Sequence, residues 1–310
     1  MATANHTFRV PVPHARWNLP IRSAGRLKPK RHGFRPTLTV MLCSLGTVAQ
    51  ADLPLVVESL LTDKGKLKLN LSLAYSNSTT MGFLNSDTLV GTATLRYGLT
   101  GKTEIYARSS GQYSSVRTSV GSTADTRFLN TWAGASYQFK KDTETPALIG
   151  FVEGALIEQG IDSTYALKSW VAGLTTYKSI DPIVFVFSGY YGLNLPRKDG
   201  ETTIDPGNTF ALNPSVAFAV NDSVTFNAGV NWSNRWSRHS QRTILVPSDK
   251  DNEPPEENEV VSRQFRATNT DFVFGVDYRF PNDDIINVTL SANMSGNQGT
   301  HLRFDWLHSF

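Results

Sequence analysis

The sequence predicts an all-β protein, a single antiparallel up-and-down transmembrane β-barrel of about twelve strands. Three features support this fold class. Apolar and polar residues alternate along most of the chain, short and long connections follow each other in turn, and the last strand ends on an aromatic residue. Alternation at period two places apolar side chains on one face of a strand and polar side chains on the other.

Twelve segments carry this alternation. In the first segment Leu69 and Leu71 share one face, while Lys68 and Asn70 share the other, which must therefore be wet. Each segment has roughly 9–12 residues, the length that a tilted strand needs to cross a bilayer. The predicted strands are residues 66–76, 88–97, 103–113, 128–139, 146–157, 166–177, 183–193, 210–220, 223–232, 268–280, 285–294 and 302–310.

The lengths of the connections separate the two ends of the predicted sheet. The short turns after the even-numbered strands are residues 98–102, 140–145, 178–182, 221–222 and 281–284. The other connections tend to be longer, and the longest, residues 233–267, divides into a basic part and an acidic part. This segregation favours a barrel with tight periplasmic turns and larger external loops over a soluble β-sandwich. The longest loop fits either a solvated, mobile segment or a gate over the pore.

The closing strand places Leu302, Phe304, Trp306, His308 and Phe310 on one face. A chain that stops on an aromatic residue resembles the C-terminal signal of bacterial outer-membrane β-barrels. This resemblance implies that Phe304, Trp306 and Phe310 serve insertion and closure, with outer-membrane lipid and the barrel-assembly machinery as partners. The alternative is the edge strand of a soluble sandwich.

Aromatic residues near the predicted strand ends indicate two girdles at the membrane interfaces, although ordinary strand propensity would also place them there. These residues are Tyr75, Tyr97, Tyr113, Tyr137, Phe139, Tyr177, Tyr278, Phe280, Trp306 and Phe310.

Composition agrees with this fold. Hydrophobic residues make up 40% of the 310 residues and charged residues 18%, and no run of about 18 apolar residues predicts a membrane-spanning helix. The net charge of +3 comes from the first 51 residues, whose eight basic and no acidic residues leave 22 basic against 27 acidic residues in the body. An acidic body argues against a nucleic-acid partner. The single Cys43 excludes a disulfide framework.

The N-terminal region predicts export. A basic stretch ending at Arg35 precedes a short apolar core and the small-x-small site Ala49-Gln50-Ala51. This order is typical of a cleavable signal peptide. Residues 1–51 are therefore predicted to be a basic region plus signal peptide, and residues 52–310 the outer-membrane barrel. The basic region is unusually long, which fits either a translation start further along the chain or a matrix-targeting or disordered basic arm.

A family resemblance rests on two motifs, residues 60–66 (Leu-Leu-Thr-Asp-Lys-Gly-Lys) and residues 96–104 (Arg-Tyr-Gly-Leu-Thr-Gly-Lys-Thr-Glu), with residues 72–76 between them. They resemble outer-membrane transporters of the meta-pathway phenol-degradation type, a superfamily related to the export pores of bacterial functional amyloid. The resemblance implies a twelve-stranded, porin-like channel for small hydrophobic or aromatic solutes, or an export pore. A non-conducting surface or adhesive barrel is a third possibility.

Charged residues on the non-lipid face are the predicted functional residues. They either form a salt-bridged girdle that stabilises a narrow lumen or a constriction that selects the solute. The candidates are Lys66, Lys68, Arg96, Glu104, Arg108, Glu153, Asp271, Asp277, Arg279, Arg303 and Asp305. Charges of the closing strand are expected to face the lysines of the first strand.

No catalytic site is predicted. A barrel esterase or protease is the alternative that the histidines raise, but His239, His301 and His308 have no serine and amide at a suitable spacing. We therefore predict no enzyme activity, no metal site and no cofactor.

Overall fold

The computed structural model describes residues 61–80, 84–118, 121–160, 163–199, 202–246, 256–294 and 299–310. The predicted signal peptide and the stretch that follows it lie outside these ranges. The strands are β1 (Leu67–Thr80), β2 (Leu84–Gly98), β3 (Thr103–Thr118), β4 (Gly121–Lys140), β5 (Ala147–Gln159), β6 (Thr164–Tyr165), β7 (Ser169–Ile180), β8 (Ile183–Asn194), β9 (Arg197–Asp199), β10 (Thr202–Asp205), β11 (Asn208–Ala219), β12 (Val224–Val246), β13 (Glu256–Arg279), β14 (Ile285–Asn293) and β15 (Gly299–Ser309).

Twelve long strands form one closed antiparallel barrel. In order around the wall they are β1, β2, β3, β4, β5, β7, β8, β11, β12, β13, β14 and β15. The ring closes where β1 pairs with β15, from Lys68 opposite Ser309 to Ser78 opposite Gly299. Closure pairs the backbone N–H and C=O groups of every wall strand on both sides, as a strand surrounded by lipid requires. The predicted all-β, twelve-stranded barrel is confirmed.

The two faces of the wall follow the sequence alternation. Outward side chains are apolar and exposed, for example Leu73 at 48% and Phe274 at 52%. Inward side chains include charged groups with almost no exposure, such as Glu104 at 1% and Asp277 at 4%. This distribution inverts that of a soluble protein and is the one that a barrel in lipid requires. Among the described residues, none belongs to a helix long and apolar enough to cross a membrane.

Short turns join the wall strands at one end of the barrel. They are residues 99–102, 141–146, 181–182, 220–223 and 280–284, close to the predicted positions. Side chains stabilise two of them from within. The Asn221 carboxamide oxygen accepts hydrogen bonds from the amides of Ser223 and Val224, each at 2.9 Å. In the last turn the Asn282 oxygen accepts a bond from the amide of Asp284.

The other end of the barrel differs from the prediction because the strands there are longer. The segment predicted as a loop over residues 233–267 is mostly strand: β12 continues to Val246, β13 starts at Glu256, and these two residues face each other. Only residues 247–255 of it lie outside the described part. Above the membrane both faces of a hairpin are solvated, so the polar sequence there carries no alternation to reveal it. The loops predicted after the first and third strands are likewise shortened by β1, β2, β3 and β4.

Two smaller corrections concern register. A β-bulge opposite Ser110 and Gly111 shifts β4 by one residue, so Phe128 faces outward at 40% exposure in place of the predicted Leu129. Such an insertion reverses the predicted inward and outward positions of all residues on one side of the bulge, here those from Phe128 back to the start of β4. The strand predicted from residue 166 begins at Ser169, and the short β6 before it folds back onto β5.

The inward and outward faces of β1 give a matched pair for testing the barrel. Leu73 faces outward near mid-wall, whereas Ser72 faces inward opposite Asp305. We expect Leu73→Arg to lower the free energy of unfolding in lipid by about 2–4 kcal/mol, because it places a cation at the bilayer midplane. Ser72→Arg should cost much less. Urea titration of the protein in liposomes measures both, and equal costs would contradict the assignment of the faces.

Candidate functional site

The predicted charged residues, apart from Lys66, lie on the inner face of the wall. Lys66 is exposed just before β1. One group, here the belt of β1–β5, contains Lys68, Arg96, Glu104, Arg108 and Glu153. The other group, the belt of β13–β15, contains Asp271, Asp277, Arg279, Arg303 and Asp305. Because β1 and β15 are neighbours, the two belts adjoin. The structure thus brings these candidates together on one continuous part of the lumen.

Glu104 is the central acceptor of the first belt. Its carboxylate accepts hydrogen bonds from the backbone amide of Thr62 at 2.7 Å and from the Thr62 hydroxyl. The Arg96 guanidinium donates to its other oxygen at 3.2 Å. A carboxylate buried to 1% exposure needs such partners, because desolvating an unpaired charge costs several kcal/mol. Glu104 therefore holds both an arginine and the segment that precedes β1.

That preceding segment lies against the inner face at the short-turn end. The amide of Gly65 donates to the carbonyl of Gly98 at 2.7 Å, and the amide of Gly98 donates to the carbonyl of Lys66 at 3.1 Å. Gly98 permits this approach, since a Cβ there would overlap the carbonyl oxygen of Asp63. The contact between these two segments was not predicted from the sequence. The signal that could have indicated it is a glycine at an inward position of β2.

Arg108 is the second arginine of the belt of β1–β5. Its guanidinium donates to Glu153 at 2.7 Å, and its side chain lies over the indole of Trp132, 5.2 Å from the ring centroid. Arg96 lies in the same way over Tyr106, at 5.7 Å. Each arginine is thus held by a carboxylate and an aromatic face, an arrangement that fixes a partly desolvated cation. Tyr106 and Trp132 belong to the site although their apolar character concealed them in the sequence.

Side-chain carboxamides hold the two aspartates of β13 in the belt of β13–β15. Asn227 donates to Asp277 at 3.0 Å, and Asn287 donates to the other oxygen of the same carboxylate. Asn293 donates to Asp271 at 2.7 Å. These asparagines alternate with the outward apolar residues of their strands. This alternation is the sequence signal that could have identified them as lumen residues.

The closing strand differs from the expectation in its partners. Arg303 donates to both carboxylate oxygens of Asp305 in its own strand, at 2.7 and 2.8 Å. The register places Asp305 opposite Ser72, whereas Lys68 lies opposite Ser309 and Arg96. Arg303 and Asp305 thus bind each other from positions two residues apart on one face of the strand. In the register of β1 and β15, Asp305 faces Ser72 and not the lysines of β1 that the sequence predicted.

Three contiguous strands contribute no charge to the lumen. Every inward residue of β7, β8 and β11, all of them described, is uncharged, and Val171, Val186 and Tyr190 are buried there. The hydroxyls of Thr175 and Ser188 satisfy each other at 3.0 Å. This surface, here the uncharged stripe, faces the two belts across the barrel. The sequence prediction considered only charged inward residues, so it did not identify these strands, whose inward residues are all uncharged.

A separate ion pair lies toward the long-strand end. Arg197 donates to Glu158 at 3.1 Å and lies over the ring of Tyr165 at 5.2 Å. The hydroxyl of Ser169 donates to the same Glu158 oxygen at 2.9 Å. These contacts join the connection between β5 and β7 to the connection that follows β8. The sequence analysis predicted none of these residues as part of the site.

Of the predicted assembly residues, Trp306 and Phe310 lie toward the short-turn end of the wall, and Phe304 lies near mid-wall, opposite Leu73. Phe304 and Phe310 are outward and exposed, and the amide of Phe310 donates to the carbonyl of Leu67 at 2.9 Å. His308 contacts the rings of both Trp306 and Phe310. The imidazole of His308 also donates to Asp284 at 2.6 Å, so this residue fastens the closing strand to the preceding turn. The side chain of His239 lies outside the described ones.

No model of a protein family matches the sequence, and no curated protein matches it. The closed wall, the apolar exterior and the charged interior are those of a transmembrane β-barrel. The fold is similar to the COG4313 outer membrane channel from Pseudomonas putida F1, with 12% identity and a TM-score of 0.58 over 81% of this chain and 97% of that one. The translocator domain of the autotransporter NalP from Neisseria meningitidis gives 12% identity and a TM-score of 0.48 over 80% and 90%.

The contact at Gly98 is testable with a matched glycine. Gly98→Ala should displace residues 62–65 from the inner wall, because the new Cβ would overlap the backbone of Asp63. Hydrogen–deuterium exchange at the amides of Thr62 and Gly65 should then accelerate. Gly101→Ala, in the adjoining turn where a Cβ meets nothing within 4 Å, should leave exchange unchanged. Protection that persists in Gly98→Ala would contradict the contact.

The His308–Asp284 pair predicts a pH dependence. The hydrogen bond from His308 holds the pKa of the Asp284 carboxyl below its usual range. A depressed folded-state pKa stabilises the protein above the unfolded value of about 3.9 and loses that effect as pH falls through the folded value. Asp284→Asn should therefore lower the unfolding midpoint above about pH 4, with the difference from the wild type shrinking at lower pH. A difference independent of pH would show that the carboxylate charge is irrelevant.

Proposed function

We propose that the protein is a passive channel in the bacterial outer membrane for small solutes that combine an apolar or aromatic body with a polar group. Three points support the proposal: the closed barrel, its similarity in fold to a solved outer-membrane channel, and a lumen with two chemically different walls. The last of these carries most weight for the class of solute.

The two-walled lumen suits an amphipathic solute. The uncharged stripe is apolar at Val171, Val186 and Tyr190, and Ile149 and Phe151 of β5 extend it. These side chains are packed to between 2% and 8% exposure, so a solute would meet only their edges. Opposite them the belts offer guanidinium, carboxylate and carboxamide groups. A solute with one apolar side keeps that side out of water along the stripe while its polar group exchanges hydrogen bonds with the belts. A wholly charged lumen would give an apolar body no such path.

The part of the belt of β1–β5 that contains Arg96 and Arg108 is the proposed constriction. Glu104, Glu153 and Trp132 have almost no exposure there, so side chains rather than open water fill that part of the barrel. Arg96 and Arg108 retain 12% and 11% exposure of their side chains and can meet a solute. Their pairing with carboxylates keeps the guanidinium groups in fixed positions, which a selective passage needs.

The remaining elements of the proposal concern location and assembly. An N-terminal signal peptide would direct export, and the closing strand with Phe304, Trp306 and Phe310 would be recognised by the barrel-assembly machinery. The solute class agrees with the resemblance to transporters of the meta-pathway phenol-degradation type. The role requires no catalysis and no cofactor.

Planar-bilayer recording of the refolded full chain tests this function. We expect steady conductance, and in Arg96→Ala/Arg108→Ala a severalfold shift of ion preference toward cations, because two positive charges leave the narrow level. Arg117→Ala is the matched control, since Arg117 is 70% exposed near the far end of β3. Heat-dependent gel migration verifies that each variant folds.

Silence of the folded wild type would contradict the channel and favour a non-conducting surface barrel. An identical shift in Arg117→Ala would place the selective level elsewhere in the lumen. The export-pore alternative would instead produce a large conductance that the double variant leaves unchanged.

A further inference from the structure

A pocket of about 470 Å³ opens on the outside of the wall, near the ends of β8 and β11. Its frame is fixed by the connection between these strands. The Asn208 oxygen accepts from the amide of Asn194 at 3.0 Å, and the Asn194 carboxamide donates to the carbonyl of Gly207 at 2.7 Å. The amide of Gly207 donates to Asp205 at 3.0 Å. Gly207 has a φ of 74°, a conformation that glycine adopts without strain.

One side of the pocket is aromatic. Trp236 lines it and is 38% exposed, and its indole is stacked on Phe210 with 6.5 Å between the centroids. Phe210 in turn makes a T-shaped contact with Trp232, with 6.1 Å between the ring centroids. The indole is therefore a rigid flat surface with one side packed and the rest open. Tyr191, which is 45% exposed, lines the pocket as well.

The pocket lies at the height of the lipid headgroups. Tyr191 stands roughly 20 Å and Trp236 roughly 30 Å above the short turns, at about 3.3 Å per residue and a strand tilt near 40°. The apolar band of such a barrel is about 25 Å tall. Short turns face the periplasm, so this interface belongs to the outer leaflet.

Below the pocket an apolar groove of about 870 Å³ runs along the lipid-facing wall across β4, β5, β7 and β8. Its floor is made of small residues such as Ala135, Gly150 and Ala172, and its sides include Leu174 and Phe187. Tyr191 lines both the groove and the pocket. A polar pocket at headgroup height that continues into an apolar groove matches the shape of one lipid molecule.

We infer that this surface binds a glycolipid of the outer leaflet, with a sugar ring against Trp236 and an acyl chain in the groove. Among the described residues that line the pocket, Asp205 bears the only formal charge. A carboxylate accepts hydrogen bonds from sugar hydroxyls and repels a phosphate, while the carboxamides of Asn194 and Asn208 supply both donors and acceptors. The flat indole suits the apolar face of a pyranose. The site faces away from the lumen and so is independent of the proposed channel function.

Native mass spectrometry of the full chain in nanodiscs tests the inference. The discs contain dioleoylphosphatidylcholine with a minor fraction of monoglucosyl dioleoylglycerol, and the wild type should retain one molecule of the glycolipid. Asp205→Asn keeps the acceptor for Gly207 but removes the charge, and Trp236→Ala removes the flat surface. Each should weaken retention by about tenfold, the effect of losing one good contact. Ala172→Phe should do the same by filling the groove.

Two variants of the opposite wall are the controls. Phe272→Ala removes an outward aromatic ring that is 51% exposed, and Ala292→Phe adds one on β14. Both should retain the glycolipid as the wild type does. Equal retention of phosphatidylcholine, or equal losses in the control variants, would show ordinary annular lipid and overturn the inference. Retention of free maltose that Ala172→Phe leaves intact, without preference for the glycolipid, would identify a soluble-sugar site and overturn the lipid assignment.

Discussion

A strand surrounded by lipid has no water to satisfy its N–H and C=O groups, and every other feature of this protein depends on that constraint. The ring from β1 round to β15 answers it by pairing each wall strand on both sides. Closure divides the side chains of the wall strands into two groups, those that face the lipid and those that face the lumen. Outward residues must be apolar, whereas inward residues are free to be polar, provided that they satisfy one another.

The inner face shows how that second condition is met. Arg96 and Arg108 each have a carboxylate and an aromatic ring, and Asp277 has two carboxamides. Such pairing removes the cost of burying charge without a large water-filled lumen. The charged residues of the two belts lie on the strands from β13 round to β5, whereas the inward residues of β7, β8 and β11 form the uncharged stripe. The same pairing thus stabilises the barrel and gives its lumen the two walls on which the proposed selectivity rests.

The outer face carries its own pattern, set by the same alternation. Aromatic side chains lie over glycines, as Phe139 does over Gly150, where a Cβ would come within 2.6 Å of the ring. Small residues in neighbouring strands therefore produce a groove rather than a uniform greasy surface. The proposed solute path and the inferred lipid site therefore lie on opposite faces of the same wall.

Period-two alternation was sufficient to predict the strand count, the short turns and the inward position of the charged candidates other than Lys66. It did so because side-chain direction in a strand is a local property. Tertiary structure decided what alternation does not encode: the bulge that turns Phe128 outward, the extension of β12 beyond the membrane, and the partners of each charge. Those depend on which strands are neighbours and in what register, as Arg108 pairing with Glu153 and Thr62 donating to Glu104 show. Contacts between residues distant in sequence depend on which strands the closed barrel brings together, and the pattern of a single strand carries no information about its neighbours.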